Sequence, residues 1–238
     1  MKYPKLSIII PVLNQDYCLE DAIKSTINQD FKDYELIVID GKSQDNTLQI
    51  IKKYQKNIRY WQSSKDKNLY EAMNKGIDKA SGEWIYFLGA DDKVDKKTFQ
   101  KIFSNNFKNI YLIYGNIKYD NNEIFIGKFS KRFFIRNNIH HQGAIYHKRC
   151  FYNNYFDIKY SILADYDFNL KLFQKKIKTV YFDSIFAICG NKGISKKIRW
   201  ELYKQEFNIK KNRLNAVQFL VYGSVTVLKF FFKKLSIL

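Results

Sequence analysis

The first hundred residues alternate between short apolar runs rich in β-branched residues and segments in which apolar residues recur every three or four positions. The first pattern is typical of a strand buried on both faces, and the second is typical of a helix with one apolar side. The predicted elements are, in chain order, a strand over 6–12, a helix near 19–28, a strand over 34–40, a helix from 48 to 54, a strand over 58–61, a helix from 73 to about 82 and a strand over 84–88. This alternation predicts an α/β fold with a doubly wound, Rossmann-like, mostly parallel sheet.

A different pattern begins near residue 110. The apolar runs 110–119 and 123–129 flank Asp120-Asn121-Asn122, which predicts a β-hairpin. The elements predicted after the hairpin are a helix over 165–176, a strand over 179–188 and a basic helix over 196–212. This part of the chain is α+β in character. Because sheets of the predicted type bind ligands beyond the carboxyl ends of their strands, we expect it to line the other side of a cleft there.

The pattern divides the chain into one domain over 1–213, with halves 1–109 and 110–213, and a C-terminal helix over 214–238. The C-terminal segment is amphipathic, with apolar residues at three- and four-residue steps and lysines towards its end. It is too short and too interrupted for a membrane span, which needs about 20 apolar residues. Two alternatives remain: the helix packs on the core, or it lies on an anionic membrane surface. We favour the second, since lysines beside exposed aromatics suit such a surface.

Composition narrows the class of protein. The 238 residues are 46% hydrophobic and 17% aromatic, which excludes global disorder. The net charge of +18 favours anionic partners, whether nucleic acid, lipid headgroups or phosphorylated substrates, and does not choose among them. Three scattered cysteines, Cys18, Cys150 and Cys189, indicate a reducing compartment. The first apolar run is short and is cut by Pro11, so we predict a cytoplasmic location, with the inner face of the cell membrane as a further alternative.

Asp40 ends the second predicted strand, and Gly41 and Ser43 follow it in a turn. One interpretation is a structural strand–turn–helix connection that Asp45 caps. The other makes Asp40 an acceptor for the hydroxyls or the base of a nucleotide, as acidic residues at strand ends are in dinucleotide sites. Neither a dinucleotide glycine fingerprint nor a P-loop is present.

Asp91 and Asp92 directly follow the fourth predicted strand. Adjacent carboxylates repel each other, so the pair indicates a divalent cation, Mn²⁺ or Mg²⁺, although an Asp-rich turn that caps the next helix is the alternative. The three histidines, at 140, 141 and 147, lack the spacing of a helical zinc site.

Asp165 and Asp167 open a predicted helix. Acidic residues in a first turn are ordinary partners of the helix dipole. The functional alternative is a general base that faces the cleft and accepts a proton from a hydroxyl group.

These segments together resemble the family-2 glycosyltransferases with the GT-A fold, the inverting enzymes that build bacterial surface polysaccharides. The resemblance runs from about Leu6 to Ser195. The segments that carry it are SIIIPVLNQ, the residues Ser25, Gln29 and Phe31, ELIVIDGKSQDNT, the stretch from SSKDKN to GADD, the pair HQ at 141–142, ADYD at 164–167 and NKGIS ending at Ser195.

The resemblance implies a role for each matching position. It makes 1–109 a nucleotide-binding half and 110–213 an acceptor-side half. The implied donor-binding residues are Pro11, Asn14, Asp40, Ser43, Asp66, Asn74, Lys75 and Asp91. The implied metal ligands are Asp92 and Asp91, the implied base is Asp165, the implied acceptor- and donor-sugar-side residues are His141 and Gln142, and the implied mobile loop contains Gly193 and Ser195.

The resemblance also implies the substrates. The donor is a nucleotide-sugar, for which we expect UDP and a hexosyl or N-acetylhexosaminyl group. The acceptor is a saccharide or a polyprenyl-linked saccharide in the biosynthesis of O-antigen, capsule or a similar polymer, and the cofactor is Mn²⁺ or Mg²⁺. Three positions depart from the family pattern: Lys42 replaces a small residue, Gly89 an Asp or Asn, and Ala164 a Glu.

Two alternatives compete with this hypothesis. A sugar nucleotidyltransferase would carry a glycine-rich basic loop near its N-terminus, and PVLNQDYC offers none. A basic nucleic-acid-binding module would show a recognition motif, and none is found, so we predict that nucleic acid is not a partner.

Overall fold

The computed structural model describes residues 3–190 and 200–235. The strands in this part of the chain are β1 (Leu6–Val12), β2 (Tyr34–Asp40), β3 (Tyr60–Ser63), β4 (Trp84–Phe87), β5 (Lys93–Val94), β6 (Leu112–Tyr119), β7 (Ile124–Phe125), β8 (Ala144–His147) and β9 (Thr179–Cys189). The α-helices are α1 (Leu19–Ile27), α2 (Thr47–Lys53), α3 (Leu69–Lys79), α4 (Thr98–Phe103), α5 (Ala164–Gln174), α6 (Trp200–Arg213) and α7 (Ala216–Leu235).

The strands form one sheet in the order β3-β2-β1-β4-β8-β6-β9-β5, with β7 paired to β6. The first four run parallel, and helices connect them in the predicted rhythm. Beyond β4 the sheet is mixed, because β8 runs antiparallel to both β4 and β6 whereas β9 runs parallel to β6. The predicted α/β class is therefore confirmed.

Strand β1 is buried on both faces, as its continuous apolar run predicts. Ile9 contributes to the core that contains α3 residues, whereas Ile8 and Ile10 contribute to the core on the α1 side. The approach of α3 is close: a Cβ atom on Gly76 would clash with the side chain of Ile9. Glycine at position 76 thus lets the helix lie directly on the strand.

Several boundaries differ from the sequence prediction by one to a few residues. Strand β3 begins two residues later than predicted, at Tyr60, where it pairs with Ile37 of β2. The predicted hairpin forms, but β7 has only two residues, since pairing with β6 is confined to Ile117↔Phe125 and the next pair. Asp45 is not the N-cap of α2, yet its Oδ1 accepts a hydrogen bond from the N–H of Thr47 at 3.0 Å.

Helices α6 and α7 form a hairpin held by buried polar side chains. Glu206 Oε1 accepts hydrogen bonds from Lys210 Nζ at 2.6 Å, from Lys229 Nζ at 3.1 Å and from Thr226 Oγ1 at 3.0 Å. Both lysines also donate to the carbonyl of Ile135, at 3.0 and 2.6 Å. Helix α7 therefore packs on the rest of the chain through a face that carries a lysine and a threonine.

The opposite face of α7 is apolar and exposed. The exposed apolar residues are Val217, Leu220, Val221, Val227, Leu228, Phe231 and Phe232. At about 100° per residue they span an arc of about 140°. None of the helices described is long and apolar enough to cross a membrane.

Candidate active site

The loops that follow β1 and β2 are hydrogen-bonded to each other at the carboxyl edge of the sheet. The N–H of Asn14 donates to Ser43 Oγ, and the N–H of Gln44 donates to Asn14 Oδ1, both at 2.8 Å. Asn14 has a positive φ of 52°, a conformation that asparagine adopts more readily than most residues. Pro11 is buried near the end of β1, in register with Ile39. Three of the predicted donor-binding residues thus lie at one edge.

Asp40, the last residue of β2, is fully buried. Its carboxylate accepts hydrogen bonds from the N–H of Ser43 and from the hydroxyls of Ser43 and Ser63, each hydroxyl at 2.5 Å. These contacts order the loops after β2 and β3. The predicted contact between Asp40 and a nucleotide stays a prediction.

Asp66 and Lys75 form a partly buried ion pair beside these loops. Lys75 Nζ lies 2.5 Å from Asp66 Oδ1 and donates to Ser64 Oγ at 3.0 Å, so α3 holds the segment that follows β3. Burial raises the pKa of Asp66, against the opposing effect of the Lys75 ammonium. A Cβ on Gly41 would lie 3.5 Å from Asp66 Oδ2, which shows how closely the loops after β2 and β3 approach.

The side chain of Asn74 is hydrogen-bonded to the backbone of Phe156, away from the loops after β2 and β3. Its Nδ2 donates to the carbonyl of Phe156 at 2.9 Å, and its Oδ1 accepts from the N–H of Phe156 at 3.1 Å. This pair of hydrogen bonds ties α3 to the segment before α5. A contact between Asn74 and the donor stays a prediction, and it would require these bonds to break.

Asp91 and Asp92 lie in the turn after β4, in unequal surroundings. Asp91 is exposed, whereas Asp92 is buried and accepts hydrogen bonds from Gln142 Nε2 and, at 3.1 Å, from the N–H of Gly190. Burial raises the pKa of Asp92, and the charge of Asp91 raises it further. Both effects disfavour the ionised form of Asp92 in this turn.

Gly89 makes the bond between Asp92 and Gln142 possible. A Cβ on residue 89 would clash with Asp92 Oδ2 and would lie 3.1 Å from Gln142 Nε2. The departure of this position from the family pattern thus has a steric reason, since the space that a larger side chain would fill holds the Asp92 carboxylate.

The surroundings of this pair suit a divalent cation. Two carboxylates offer hard oxygen ligands. Among residues 3–190 and 200–235, the buried carboxylate forms no ion pair with a lysine or arginine, and Gln142 Oε1 beside it is buried without a hydrogen bond. No group of three His, Cys, Asp or Glu residues that could hold a metal ion occurs among residues 3–190 and 200–235. A cation at Asp91 and Asp92 would take its remaining ligands from water and from phosphate oxygens of a substrate.

Asp165 lies in the first turn of α5 and is 7% exposed. Its Oδ1 accepts from the Tyr70 hydroxyl at 3.0 Å and from the N–H of Tyr166 at 2.8 Å. Its Oδ2 accepts from Asn137 Nδ2 at 2.9 Å. The carboxylate is thus held in one orientation, and its small exposed fraction leaves it within reach of a ligand.

Asp167 has different partners. It is fully buried and pairs with Arg213 through both oxygens, and Lys171 Nζ lies 3.2 Å from its Oδ2. The two acidic residues of one helical turn therefore have separate surroundings, one beside the candidate site and one between helices.

The neighbours His141 and Gln142 bring the two acidic sites together. His141 Nδ1 lies 3.8 Å from Asp165 Oδ2, and the Gln142 amide donates to Asp92. These two residues begin a 3-10 turn, His141–Gly143, that leads into β8. The adjacent positions 141 and 142 thus link the turn after β4 to the start of α5.

Two contacts of the site were not predicted from the sequence. Tyr70 belongs to the segment that matches the family helix, but no role was attached to it, and Asn137 lies in a basic aromatic stretch without a recognisable motif. Gly193 and Ser195, the predicted mobile loop, lie outside the described residues.

Residues 7–203 match the family model described as glycosyl transferase family 2. The chain belongs to glycosyl transferase family 2. The predicted family is therefore confirmed, and the sugar nucleotidyltransferase alternative is set aside. The prediction that nucleic acid is not a partner is independent of this match and stays a prediction.

Two curated relatives extend the comparison. A PGL/p-HBAD biosynthesis glycosyltransferase of Mycobacterium bovis is 35% identical over 183 residues, which cover 73% of this chain and 71% of the relative. The GalNAc(5)-diNAcBac-PP-undecaprenol beta-1,3-glucosyltransferase of Campylobacter jejuni is 38% identical over 117 residues, which cover 48% of this chain and 38% of the relative.

A solved structure supports the fold. Staphylococcus aureus TarS 1-349 in complex with UDP-GlcNAc matches with a TM-score of 0.71 at 19% identity and covers 86% of this chain. This chain spans 65% of that TarS chain. The likeness confirms the GT-A type of fold for a chain that the family match identifies as a glycosyltransferase.

Proposed function

We propose that this family-2 enzyme transfers a hexosyl or N-acetylhexosaminyl group from a UDP-sugar to a hydroxyl of a saccharide or lipid-linked saccharide, with inversion, in the biosynthesis of a surface polysaccharide. The observation that carries the proposal is the link through His141 and Gln142. It places a carboxylate pair suited to a metal-bound diphosphate beside a separate carboxylate suited to a proton acceptor.

The donor nucleotide binds at the carboxyl edge of β1, β2 and β3. Asn14 and Ser43 supply polar atoms there, and Asp40 orients the hydroxyls of Ser43 and Ser63. Asp66 and Lys75 border the same loops, with Asp66 as the contact to the base. The UDP-GlcNAc bound by TarS, a protein of the same fold, supports UDP as the nucleotide.

Asp92 and Asp91 would hold the divalent cation, Mn²⁺ or Mg²⁺, beside the donor diphosphate. When bound, the cation would neutralise charge on the diphosphate and so stabilise it as a leaving group. The Gln142 amide fixes the orientation of the Asp92 carboxylate.

Asp165 accepts the proton of the acceptor hydroxyl. The acceptor oxygen forms its bond to the anomeric carbon on the face opposite the leaving UDP, so a single displacement inverts the configuration. A protein nucleophile is not required by this mechanism. His141, next to Asp165, lines the space between donor sugar and acceptor.

The exposed face of α7 lies on the membrane that carries a lipid-linked acceptor. Polar residues of α7 point inward to Glu206, while apolar and aromatic residues point outward, which is the arrangement of an interfacial helix. The excess of 18 positive charges favours an anionic leaflet. A relative whose name specifies an undecaprenol-linked substrate supports this class of acceptor.

Thermal-shift measurements with a panel of UDP-, GDP- and CDP-sugars, with and without Mn²⁺, test the donor and the cation. Stabilisation scales with ligand concentration over Kd, so the true donor will raise the melting temperature most, and only with the metal present. A transfer assay with the selected donor and a polyprenyl-linked saccharide then tests the reaction. Full transfer in excess EDTA, or a product with retained anomeric configuration, would contradict the proposal.

A further inference from the structure

The hydrogen bonds of Asp165 distinguish its two carboxylate oxygens. An ionised carboxylate offers about four lone-pair positions. Oδ1 uses two of them, for the Tyr70 hydroxyl and the Tyr166 N–H, whereas Oδ2 uses one, for Asn137 Nδ2. His141 Nδ1, at 3.8 Å from Oδ2, is beyond hydrogen-bond distance. With respect to the part of the chain that the structure describes, one lone pair on Oδ2 is therefore left for a ligand.

Tyr70 is a fixed donor to this carboxylate. Its hydroxyl lies 3.0 Å from Asp165 Oδ1 and 2.9 Å from the carbonyl of Ile162, and its one proton is drawn to the charged acceptor. Burial and the Asp165 charge raise the pKa of Tyr70, so the hydroxyl keeps its proton. Because a phenol on α3 has few rotatable bonds, the contact also fixes the carboxylate relative to the sheet.

Asn137 is itself held in place by a chain of buried polar groups. Its Oδ1 accepts from Asn169 Nδ2 at 3.4 Å and from the N–H of Ile139 at 3.3 Å. Asn169 Oδ1 in turn accepts from the Tyr146 hydroxyl at 2.9 Å. Asn169 and Tyr146 are both fully buried. This series of hydrogen bonds fixes the orientation of the Asn137 amide, with its NH₂ group towards Asp165.

We propose that Tyr70 and Asn137 are positioning residues for Asp165 and that Oδ2 is the oxygen that takes the proton of the acceptor hydroxyl. The inference rests on the proposed role of Asp165 as general base. As the acceptor oxygen bonds to the anomeric carbon and the bond to UDP breaks, the hydroxyl proton moves to Oδ2. Tyr70 occupies Oδ1 and Asn137 fixes the rotation of the group, so the free lone pair of Oδ2 points at the acceptor.

The test compares Tyr70→Phe and Asn137→Ala with the wild type in the full chain, with UDP-GlcNAc as the first donor probe and a polyprenyl-linked saccharide as acceptor. Each variant is expected to lose about ten- to a hundredfold in kcat, because a misdirected base costs rate. The KM and Kd for UDP-GlcNAc are expected to stay within about twofold, because neither residue is placed in the donor site. Tyr160→Phe is the matched control: Tyr160 is as buried as Tyr70, and its hydroxyl bonds Asn212 instead.

The split between kcat and KM separates positioning from a general loss of structure. Loss of a positioning residue should lower kcat while the KM and Kd for UDP-GlcNAc and the melting temperature stay near their wild-type values. A structural defect would lower the melting temperature and weaken donor binding as well. An unchanged kcat in both variants would overturn the inference.

A double variant and the wild-type activity together distinguish a failure of the positioning roles from a failure of the proposed function. In an Asp165→Asn background, Tyr70→Phe should change the residual rate by less than about twofold, because the group that it positions is gone. A wild type that transfers no sugar from any UDP-sugar would refute the proposed function instead. An active wild type with a fully active Tyr70→Phe and Asn137→Ala would refute only the positioning roles.

Discussion

Arg213 donates to both oxygens of the Asp167 carboxylate, from Nε at 2.6 Å and from Nη2 at 3.0 Å. The contact joins the end of α6 to the first turn of α5. Asp165 lies two residues earlier, and two residues correspond to about 200° of rotation on a helix. The same turn therefore presents one carboxylate to a helix interface and the other to the candidate site.

This division predicts opposite phenotypes for two conservative variants. Asp167→Asn should lower the free energy of unfolding by about 2–4 kcal/mol, because it leaves Arg213 beside an uncharged amide in a buried contact. Asp165→Asn should melt near the wild-type temperature, bind the donor normally and keep only a small residual rate of transfer. Thermal denaturation and a transfer assay decide between them. An inactive Asp167→Asn with wild-type melting would move the base assignment to Asp167.

Asp92→Asn is predicted to stabilise the metal-free protein while abolishing transfer. Burial and the charge of Asp91 raise the pKa of Asp92 in the folded state, so its ionisation costs stability at neutral pH. The gain in melting temperature should be present above the folded pKa of Asp92 and should shrink as the pH falls through it. Asp91→Asn is the control, with a smaller gain because Asp91 is exposed. An Asp92→Asn variant that melts below the wild type at pH 7 would contradict the prediction.

Asp40→Ala is predicted to weaken donor binding. The variant removes the acceptor that orients the hydroxyls of Ser43, in the loop after β2, and of Ser63, at the end of β3. We expect the Kd for UDP to rise about tenfold, measured by calorimetry in the presence of Mn²⁺. Ser63→Ala removes one of those hydroxyls and should have a smaller effect. Unchanged affinity in Asp40→Ala would remove this residue from the donor site.

The outward face of α7 gives a prediction on membrane binding. Leu220→Glu and Leu228→Glu place charges on the exposed apolar arc and should abolish co-flotation with vesicles that contain anionic phospholipid. Both variants should melt like the wild type, since neither residue packs on the core. Ser224→Glu adds a charge to the same exposed face without removing an apolar side chain, so it measures the effect of charge alone on flotation. Equal flotation of wild type and both leucine variants would exclude this face as the membrane contact.

The sequence predicted most of the parallel half of the fold, because β1, β2 and β4 are buried on both faces and read as continuous apolar runs. It did not predict the polar partners of Asp165. Tyr70 is 95 positions away and Asn137 is 28, and a contact across such distances leaves no local periodicity.

The sequence also did not predict the hydrogen-bond partners of Asp40. The turn residues after an acidic strand end are the same whether the carboxylate binds a ligand or two serine hydroxyls, so the pattern does not distinguish these cases. The periodicity of α7 identified an apolar stripe, but periodicity alone does not say which side of a helix meets its neighbour. In the structure the side with Thr226 and Lys229 does.

Helix α7 packs through polar residues and exposes apolar ones, which affects the self-association of the purified protein in solution. In a buffer without lipid, two molecules can shield the same leucine- and phenylalanine-rich surface from water by pairing. The apparent size in gel filtration should then grow with protein concentration. Detergent micelles or vesicles should return the sample to monomers, so the state of assembly of the purified enzyme will depend on what amphiphile accompanies it.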